Sequence, residues 1–274
     1  RMGFKGLIIT DDMMMNGATL FAGSFHRAVT MAVEAGNDII ISSTTANLYD
    51  NMWTRNIERM RTVPEFKERV QDAARRVIEA KLKYFKSDNH APLYPDETKI
   101  YESIPDKEGV KFFTEQACRS ISVYKRGEAF PFVPKEGERV LIAGPFLSLF
   151  NEGRLRYPRA DVFHFSYELK QDKSNFDSWN AESLAYVARG YDTVIINVYD
   201  RHTASIAKRL RNSGKKVIVL SIMSPVYVLE DFDWADTVLC GYSYSSYSFA
   251  ALFGALSGEF VPRGEIPLGK HLFN

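Results

Sequence analysis

The stretch Leu7-Ile8-Ile9-Thr10-Asp11-Asp12 decides how the first part of the chain folds, because two carboxylates follow at once on a short apolar run. Residues 7–10 are β-prone, since they are aliphatic or β-branched. Residues 22–35 then space alanine and valine side chains as on one face of a helix, and Gly36-Asn37 ends that helix. These patterns predict a strand followed by a helix.

The same alternation repeats once more along the chain. Residues 38–43 form a second buried-looking strand, and residues 65–84 repeat apolar side chains at helical spacing. Strand, helix, strand and helix in succession indicate parallel pairing. Residues 1–86 are therefore predicted to contain two βα units. Residues 87–107, which are rich in proline and polar side chains, are predicted to be a linker.

The second predicted domain, residues 108–274, alternates strands and helices more regularly. After a helix at about 107–119 and a short apolar run at 121–124, five β-prone runs follow, with helical patterns at about 180–189, 202–213 and 245–257. The five runs are residues 140–143, 162–165, 193–198, 217–222 and 237–240. The pattern predicts a doubly wound, mostly parallel α/β sandwich with helices on both faces of one sheet.

The composition of the 274 residues excludes several classes of partner. Hydrophobic residues make up 45% and charged residues 25%, as in globular proteins. The 35 basic and 34 acidic residues give a formal net charge of +1, so no overall attraction to nucleic acid is expected. No apolar run approaches the ~18 residues that span a bilayer. Cys118 and Cys240 form no CxxC or Cys/His cluster, so no metal site is predicted.

The adjacent carboxylates Asp11 and Asp12 are the strongest candidates for chemistry. In a βα barrel, the carboxyl ends of the strands open into the active site, so a carboxylate there projects toward substrate. Aspartate is also a favoured N-cap of a following helix. Position after a strand does not by itself distinguish these two roles.

The wider sequence around the two carboxylates resembles the nucleophile strand of family 3 glycoside hydrolases. Residues 3–18 contain Gly-Phe-x-Gly, an apolar strand, Thr-Asp-Asp, Met15 and Gly17-Ala18. Ala35-Gly36-Asn37-Asp38 is similar to the family's Ala-Gly-x-Asp before the last barrel strand, and residues 254–267 resemble its Gly- and Pro-rich ending. The acidic residue at position 12 and Met15 are similar to the N-acetylglucosaminidase branch, with Met13 in place of its leucine.

The resemblance implies a fold and a mechanism. Residues 1–86 would be the last two βα units of a (βα)₈ TIM-type barrel, and the chain would carry the C-terminal portion of the enzyme. Asp11 would be the catalytic nucleophile of retaining β-glycoside hydrolysis, with Asp12 and Met15 binding substrate. The substrate would be an oligosaccharide or glycoside of N-acetylglucosamine, and no metal or organic cofactor would be required.

The acid/base that such an enzyme needs is not identified in this sequence. In similar N-acetylglucosaminidases a histidine well upstream of the nucleophile does this work, and ten residues precede Asp11 here. The missing N-terminal part of the barrel is therefore an expected partner, and the isolated chain is expected to be inactive. Glu152, Glu168 and Glu230 match the alternative of an acid from the second domain without a motif to choose among them.

Three alternatives to N-acetylglucosaminidase activity stay open at this point. The first is a β-glucosidase or β-xylosidase of the same family, and the second is a non-catalytic carbohydrate-binding or scaffold relative. The third is a nucleotide-binding module, against which the absence of phosphate-cradling glycine motifs after residues 140–143 argues. Asp200-Arg201-His202 follows a predicted strand, where it would either contact ligand or begin a helix with Asp200 near the N-cap. The sequence does not indicate a compartment.

Overall fold

A computed structural model of the chain describes residues 4–43, 51–165 and 174–268. The chain divides into two compact units, residues 1–97 and residues 98–274. The division falls within residues 87–107, the range predicted to be a linker. Each unit is described by itself.

The first unit is a short parallel sheet with helices, as its strand–helix alternation predicts. Strand β1 pairs with β2 in parallel. The elements, in chain order, are β1 (Ile9–Asp12), α1 (Asn16–Ala22), α2 (Phe25–Glu34), β2 (Ile39–Ile41), α3 (Asn51–Thr62) and α4 (Pro64–Phe85).

The helices of the first unit differ in detail from the predicted ones. The helix expected at residues 22–35 is α2, which begins at Phe25, because Gly23 has φ 81° and ends the preceding helix α1, and Ser24 has an extended backbone. A left-handed residue ends a helix, and glycine adopts this conformation at little cost. Helix α3 was not predicted, because its few apolar side chains lie among charged and polar residues.

The second unit begins with helices and continues as an alternating α/β domain. Its elements, in chain order, are α5 (Ile100–Ser103), α6 (Lys107–Ser120), β3 (Ser122–Lys125), β4 (Val140–Gly144), α7 (Leu147–Arg156), β5 (Asp161–His164), α8 (Ser174–Ala188), β6 (Thr193–Val198), α9 (Arg201–Lys208), β7 (Lys216–Ser221), α10 (Val226–Leu229), β8 (Thr237–Cys240) and α11 (Ser246–Ser257).

Within the described residues, the strands of the second unit form one six-stranded sheet in the order β3-β8-β7-β6-β4-β5. Strand β3 is antiparallel to β8, and the other neighbours are parallel. The prediction of an α/β fold with a mostly parallel sheet is confirmed. Strand order reverses between β4 and β6, which makes this the switch point of a doubly wound sheet.

Both faces of the central strands β4, β6, β7 and β8 are buried, which explains why these strands are continuous apolar runs rather than alternating ones. Ile142, Ile195 and Ile218 belong to a core formed with α6, α7 and α11. Leu141, Val194 and Val217 belong to a second core with α8, α9 and α10. Successive side chains of each strand thus enter opposite cores.

Helix α7 was not predicted, because its sequence contains a glycine that normally weakens a helix. A side chain at Gly153 would place its Cβ 2.5 Å from Ile142 Cδ1 and 2.8 Å from Phe253 Cζ. Glycine at this position lets the helix lie directly on the sheet. Tertiary packing therefore outweighs local helix propensity here.

A buried carboxylate holds the amino-terminal edge of this sheet together. The side chain of Glu138 is 7% exposed and accepts hydrogen bonds from Thr193 Oγ1 at 2.5 Å, Lys135 N–H at 2.8 Å and Lys216 Nζ at 2.9 Å. Burial opposes ionisation, but these three donors outweigh it and lower the pKa of Glu138 from 4.5 to about 2.

The low pKa of Glu138 predicts acid sensitivity of the second unit. A pKa that is lower in the folded state stabilises the fold above about pH 4.5, and this contribution of about 3 kcal/mol is lost as the pH falls toward 2. Glu138→Gln should therefore flatten the dependence of the unfolding free energy on pH in this window. Urea unfolding between pH 6 and pH 2, followed by Trp234 fluorescence in a Trp53→Phe, Trp179→Phe background, measures it.

The exposed neighbour Glu136 supplies the matched control. Glu136→Gln should follow the pH dependence of the parent protein. Parallel curves for the parent and Glu138→Gln would contradict the assigned role of Glu138.

Candidate active site

The predicted nucleophile lies within a strand rather than after one. Strand β1 spans Ile9–Asp12, so the prediction of residues 7–10 was two residues early, and Asp11 and Asp12 are the last residues of the strand. The register pairs Ile9 with Ile39 and Asp12 with Ile41, with an irregularity between them. Because successive side chains point to opposite faces of a strand, the two carboxylates face different surroundings.

The Asp11 side chain is exposed to solvent at the carboxyl end of β1. Its Oδ1 accepts a hydrogen bond from the backbone N–H of Asp12 at 2.7 Å. Among the described residues, this is the hydrogen bond that the Asp11 carboxylate makes. The group is accessible, and one of its oxygens has a fixed donor.

The Asp12 side chain is half-buried and bonded to backbone groups. Its Oδ1 accepts from the N–H of Met14 at 2.9 Å and from the N–H of Ser43 at 3.1 Å. The hydrogen bonds from Met14 and Ser43 favour the ionised form and lower the pKa of Asp12 below its usual value.

The structure decides against the alternative that either carboxylate caps the next helix. The N-cap position of α1 is Met15, which supplies no side-chain cap. The backbone N–H of Met15 donates to the carbonyl of Asp12 at 3.2 Å, and its side chain is 48% exposed. Met15 is thus accessible near the end of β1, and its predicted contact with substrate stays a prediction.

The residue that anchors β1 was not singled out as part of the site. Asp38 precedes β2, and its side chain is 1% exposed. It accepts a hydrogen bond from the N–H of Ile8 at 3.0 Å, just before β1. The resemblance of residues 35–38 to a family motif was the signal that marked this position.

Two arginines of α4 neutralise the buried carboxylate. Arg69 forms an ion pair with Asp38, and Arg76 Nε lies 3.1 Å from Asp38 Oδ2. Arg76 also donates to the backbone carbonyl of Gly6. Burial of Asp38 opposes its ionisation, but the Ile8 N–H and the two guanidinium groups outweigh it, so the pKa of Asp38 is lowered. The cluster ties β1, β2 and α4 together.

The Asp38 cluster should dominate the stability of the first unit. Asp38→Ala leaves two partly buried guanidinium groups without their carboxylate, and the free energy of unfolding should fall by about 3 kcal/mol. Urea unfolding followed by Trp53 fluorescence, with Trp179 and Trp234 replaced by phenylalanine, reports on this unit.

Asp72 provides a matched control, because it also pairs with Arg69, at 2.7 Å, but its side chain is 41% exposed. Asp72→Ala should cost less than about 1 kcal/mol, as for other surface ion pairs. Equal losses for Asp38→Ala and Asp72→Ala would show that burial does not give Asp38 its importance.

The acids suggested for the second unit have different surroundings. Glu152 accepts from Arg156 Nη1 at 2.6 Å on the same helix, and Glu230 is exposed at the end of α10. Glu168 lies outside the described residues. Asp200 accepts from the N–H of Thr203 at 2.8 Å and closes a capping box at the start of α9. The helix-start interpretation of Asp200 is thus confirmed.

Asp11 lines neither of two larger cavities found among the described residues. An apolar cavity of about 350 Å³ lies among α2, β2, α3 and α4, and a charged groove of about 570 Å³ is lined by residues 134–140 and 156–161. In the described part of the chain, no group of three His, Cys, Asp or Glu side chains could hold a metal ion. No helix in that part is both long and apolar enough to cross a membrane.

Comparison with known families finds a similarity in the unit that carries Asp11. Residues 1–80 match the family model described as the glycosyl hydrolase family 3 N terminal domain. This range contains β1, β2, the Asp38 cluster and most of α4. No curated protein matches the chain in sequence.

Solved structures of family 3 enzymes have the same fold over nearly the whole chain. A fungal multi-domain family 3 β-N-acetylglucosaminidase is 20% identical, with a TM-score of 0.69, over 97% of this chain and 31% of its own. A family 3 β-N-acetylglucosaminidase from Paenibacillus sp. is 18% identical, with a TM-score of 0.67, over 97% of this chain and 51% of its own. A β-glucoside phosphorylase is 20% identical, with a TM-score of 0.63, over 96% and 49%. The chain thus spans between about a third and a half of these proteins.

Proposed function

We propose that this chain carries the nucleophile of a retaining β-glycosidase that acts on N-acetylglucosaminides. The observation that carries the proposal is the exposed carboxylate of Asp11 at the carboxyl end of β1, within the 80 residues that match the family 3 model. Carboxyl ends of barrel strands are where substrates bind in this class of fold.

Asp11 has the chemistry that a retaining mechanism asks of a nucleophile. Its carboxylate would attack the anomeric carbon and form a covalent glycosyl-enzyme, which water then hydrolyses. The N–H of Asp12, 2.7 Å from Oδ1, would hold one oxygen while the other attacks. A second group must protonate the leaving oxygen and later activate water.

The choice of an N-acetylglucosaminide rests on the residues beside the nucleophile. Asp12 and Met15 resemble the N-acetylglucosaminidase branch, and two of the structural neighbours are β-N-acetylglucosaminidases. A β-glucosidase or β-xylosidase activity is the alternative within the family, and the β-glucoside phosphorylase among the neighbours makes phosphate a necessary variable in the assay.

The proposal includes the remaining strands of a (βα)₈ barrel as a partner. The first unit has a two-stranded parallel sheet in its described part, whereas parallel sheets are normally larger and covered on both faces. Ile9 and Ile41, one on each strand, are exposed. Further strands beside β1 and β2 would cover such side chains and would bring the acid/base to Asp11.

Substitution of the nucleophile tests the assignment directly. The test uses a longer protein in which the remaining strands complete the barrel of these 274 residues. In that protein, Asp11→Asn should lower kcat for an aryl N-acetylglucosaminide at least about 1,000-fold, because the covalent step is lost. Mass spectrometry of the quenched parent enzyme should find the sugar on the peptide that contains Asp11. Glu79→Gln, an exposed substitution on α4, should leave kcat unchanged.

Unchanged hydrolysis by Asp11→Asn would refute the nucleophile assignment. Parallel assays with aryl glucoside and aryl xyloside, each with and without inorganic phosphate, distinguish the alternative substrates and phosphorolysis. Absence of turnover on every substrate, together with carbohydrate binding, would favour a non-catalytic relative.

The chain by itself should be inactive. The proposal takes the acid/base from the further strands beside β1 and β2, so turnover of the aryl N-acetylglucosaminide by the isolated 274 residues should not rise above the uncatalysed rate. Native mass spectrometry of the same sample would establish that no second polypeptide is bound. Full activity from the 31.2 kDa chain alone would contradict this expectation.

A further inference from the structure

The two adjacent carboxylates at the end of β1 have different hydrogen-bond partners. Asp12 Oδ1 accepts from Met14 N–H at 2.9 Å and from Ser43 N–H at 3.1 Å. Met14 belongs to the turn after β1, and Ser43 follows β2. One carboxylate oxygen therefore joins the turn after the first strand to the end of the second strand.

This contact extends the pairing of β1 with β2 beyond the backbone ladder. Met13 N–H donates to the carbonyl of Ile41 at 3.0 Å, while Ile41 N–H donates to the side chain of Thr10, Oγ1, at 3.0 Å. Asp12 Oδ1 then serves as acceptor for Ser43. Side chains of β1 thus take the place of carbonyl acceptors where the register is irregular.

The same residue also supplies the donor to its neighbour. The N–H of Asp12 donates to Asp11 Oδ1 at 2.7 Å. The hydrogen bonds of the Asp12 side chain with Met14 and Ser43 hold the Asp12 residue in place, and they thereby fix the direction of its backbone N–H. The orientation of the Asp11 carboxylate therefore depends on the hydrogen bonds of the Asp12 carboxylate.

We propose that Asp12 is a positioning residue, which fixes the end of β1 against the end of β2 and thereby orients Asp11 for attack. The inference rests on the proposed function, since the orientation of Asp11 affects catalysis only where Asp11 is the nucleophile. It differs from the expectation that Asp12 binds substrate, because the partners of Oδ1 are backbone groups of the protein.

The ionisation state of Asp12 fits this role. The bonds from Met14 and Ser43 lower its pKa, so the carboxylate stays charged at neutral pH. A charged acceptor makes stronger hydrogen bonds than a neutral one. The link between the strand ends is therefore maintained at neutral pH.

Amide hydrogen exchange of the 274-residue chain tests the link without any need for activity. Asp12→Ala should speed exchange of the Ser43 amide by about 10-fold, while Asp12→Asn, which keeps the Oδ1 acceptor, should stay closer to the parent. The Ile39 amide, which donates to the Ile8 carbonyl at 3.2 Å, should be unaffected and serves as an internal control. Glu79→Ala, on the exposed part of α4, should leave both amides unchanged.

Measurements of kcat and KM in the longer protein, in which the remaining strands complete the barrel, test the consequence for Asp11. Asp12→Ala should lower kcat by about 10- to 100-fold, with KM within about twofold, because the nucleophile is misplaced rather than the substrate lost. Asp12→Asn should recover most of kcat. A rise in KM with kcat unchanged in both variants would show that Asp12 binds substrate and would overturn the proposal.

The two measurements separate failure of this inference from failure of the proposed function. Unchanged exchange of the Ser43 amide in Asp12→Ala overturns the positioning role, even where activity falls. Full activity of Asp11→Asn overturns the proposed nucleophile and, with it, the catalytic use of the positioning, while the exchange result still decides whether Asp12 joins the strand ends.

Discussion

The first unit depends on one buried carboxylate, that of Asp38. A charge at 1% exposure is costly unless it is paired and hydrogen-bonded. Arg69, Arg76 and the N–H of Ile8 meet that requirement, and they come from α4 and from the segment that enters β1. The carboxylate therefore fixes where β1 begins relative to β2. Asp11 lies three residues beyond Ile8, so the direction of the candidate nucleophile depends on this cluster.

The far end of the same strand pair is held by a second carboxylate, that of Asp12. The Asp38 side chain, just before β2, accepts a hydrogen bond from the N–H of Ile8, just before β1. The Asp12 side chain, at the end of β1, accepts one from the N–H of Ser43, just after β2. A pair of short parallel strands has few backbone hydrogen bonds of its own. The carboxylates of Asp38 and Asp12 therefore add hydrogen bonds at the two ends of the strand pair, where the backbone provides few. The exposed Asp11 lies within this frame, with its own carboxylate bonded to the N–H of Asp12.

The second unit is stabilised differently, because its sheet is long enough to bury both faces. Strands β4, β6 and β8 are fully buried, and β7 is buried after its first residue, Lys216. The apolar side chains of these strands alternate between two cores. The buried carboxylate of Glu138 lies at the amino-terminal ends of these strands, where it bonds to Thr193 and Lys216. The candidate acid Glu152 pairs with Arg156, and Asp200 caps α9. Two of the residues that the sequence had suggested for chemistry thus have structural partners, whereas Glu230 is exposed.

The sequence by itself determined the α/β class, the parallel strands and, to within two residues, the place of Asp11 at the end of the first strand. These features follow from the periodicity, composition and motifs of residues that are close along the chain. The sequence also located most strands of the second unit within one or two residues. Tertiary structure decided what neighbours along the chain cannot specify. Gly153 is tolerated in α7 because the helix touches Ile142, and Asp38 is ionised because Arg69 and Arg76 approach it from more than 30 residues away. The different environments of Asp11 and Asp12 depend likewise on Ser43, which reaches Asp12 only through the pairing of β1 with β2.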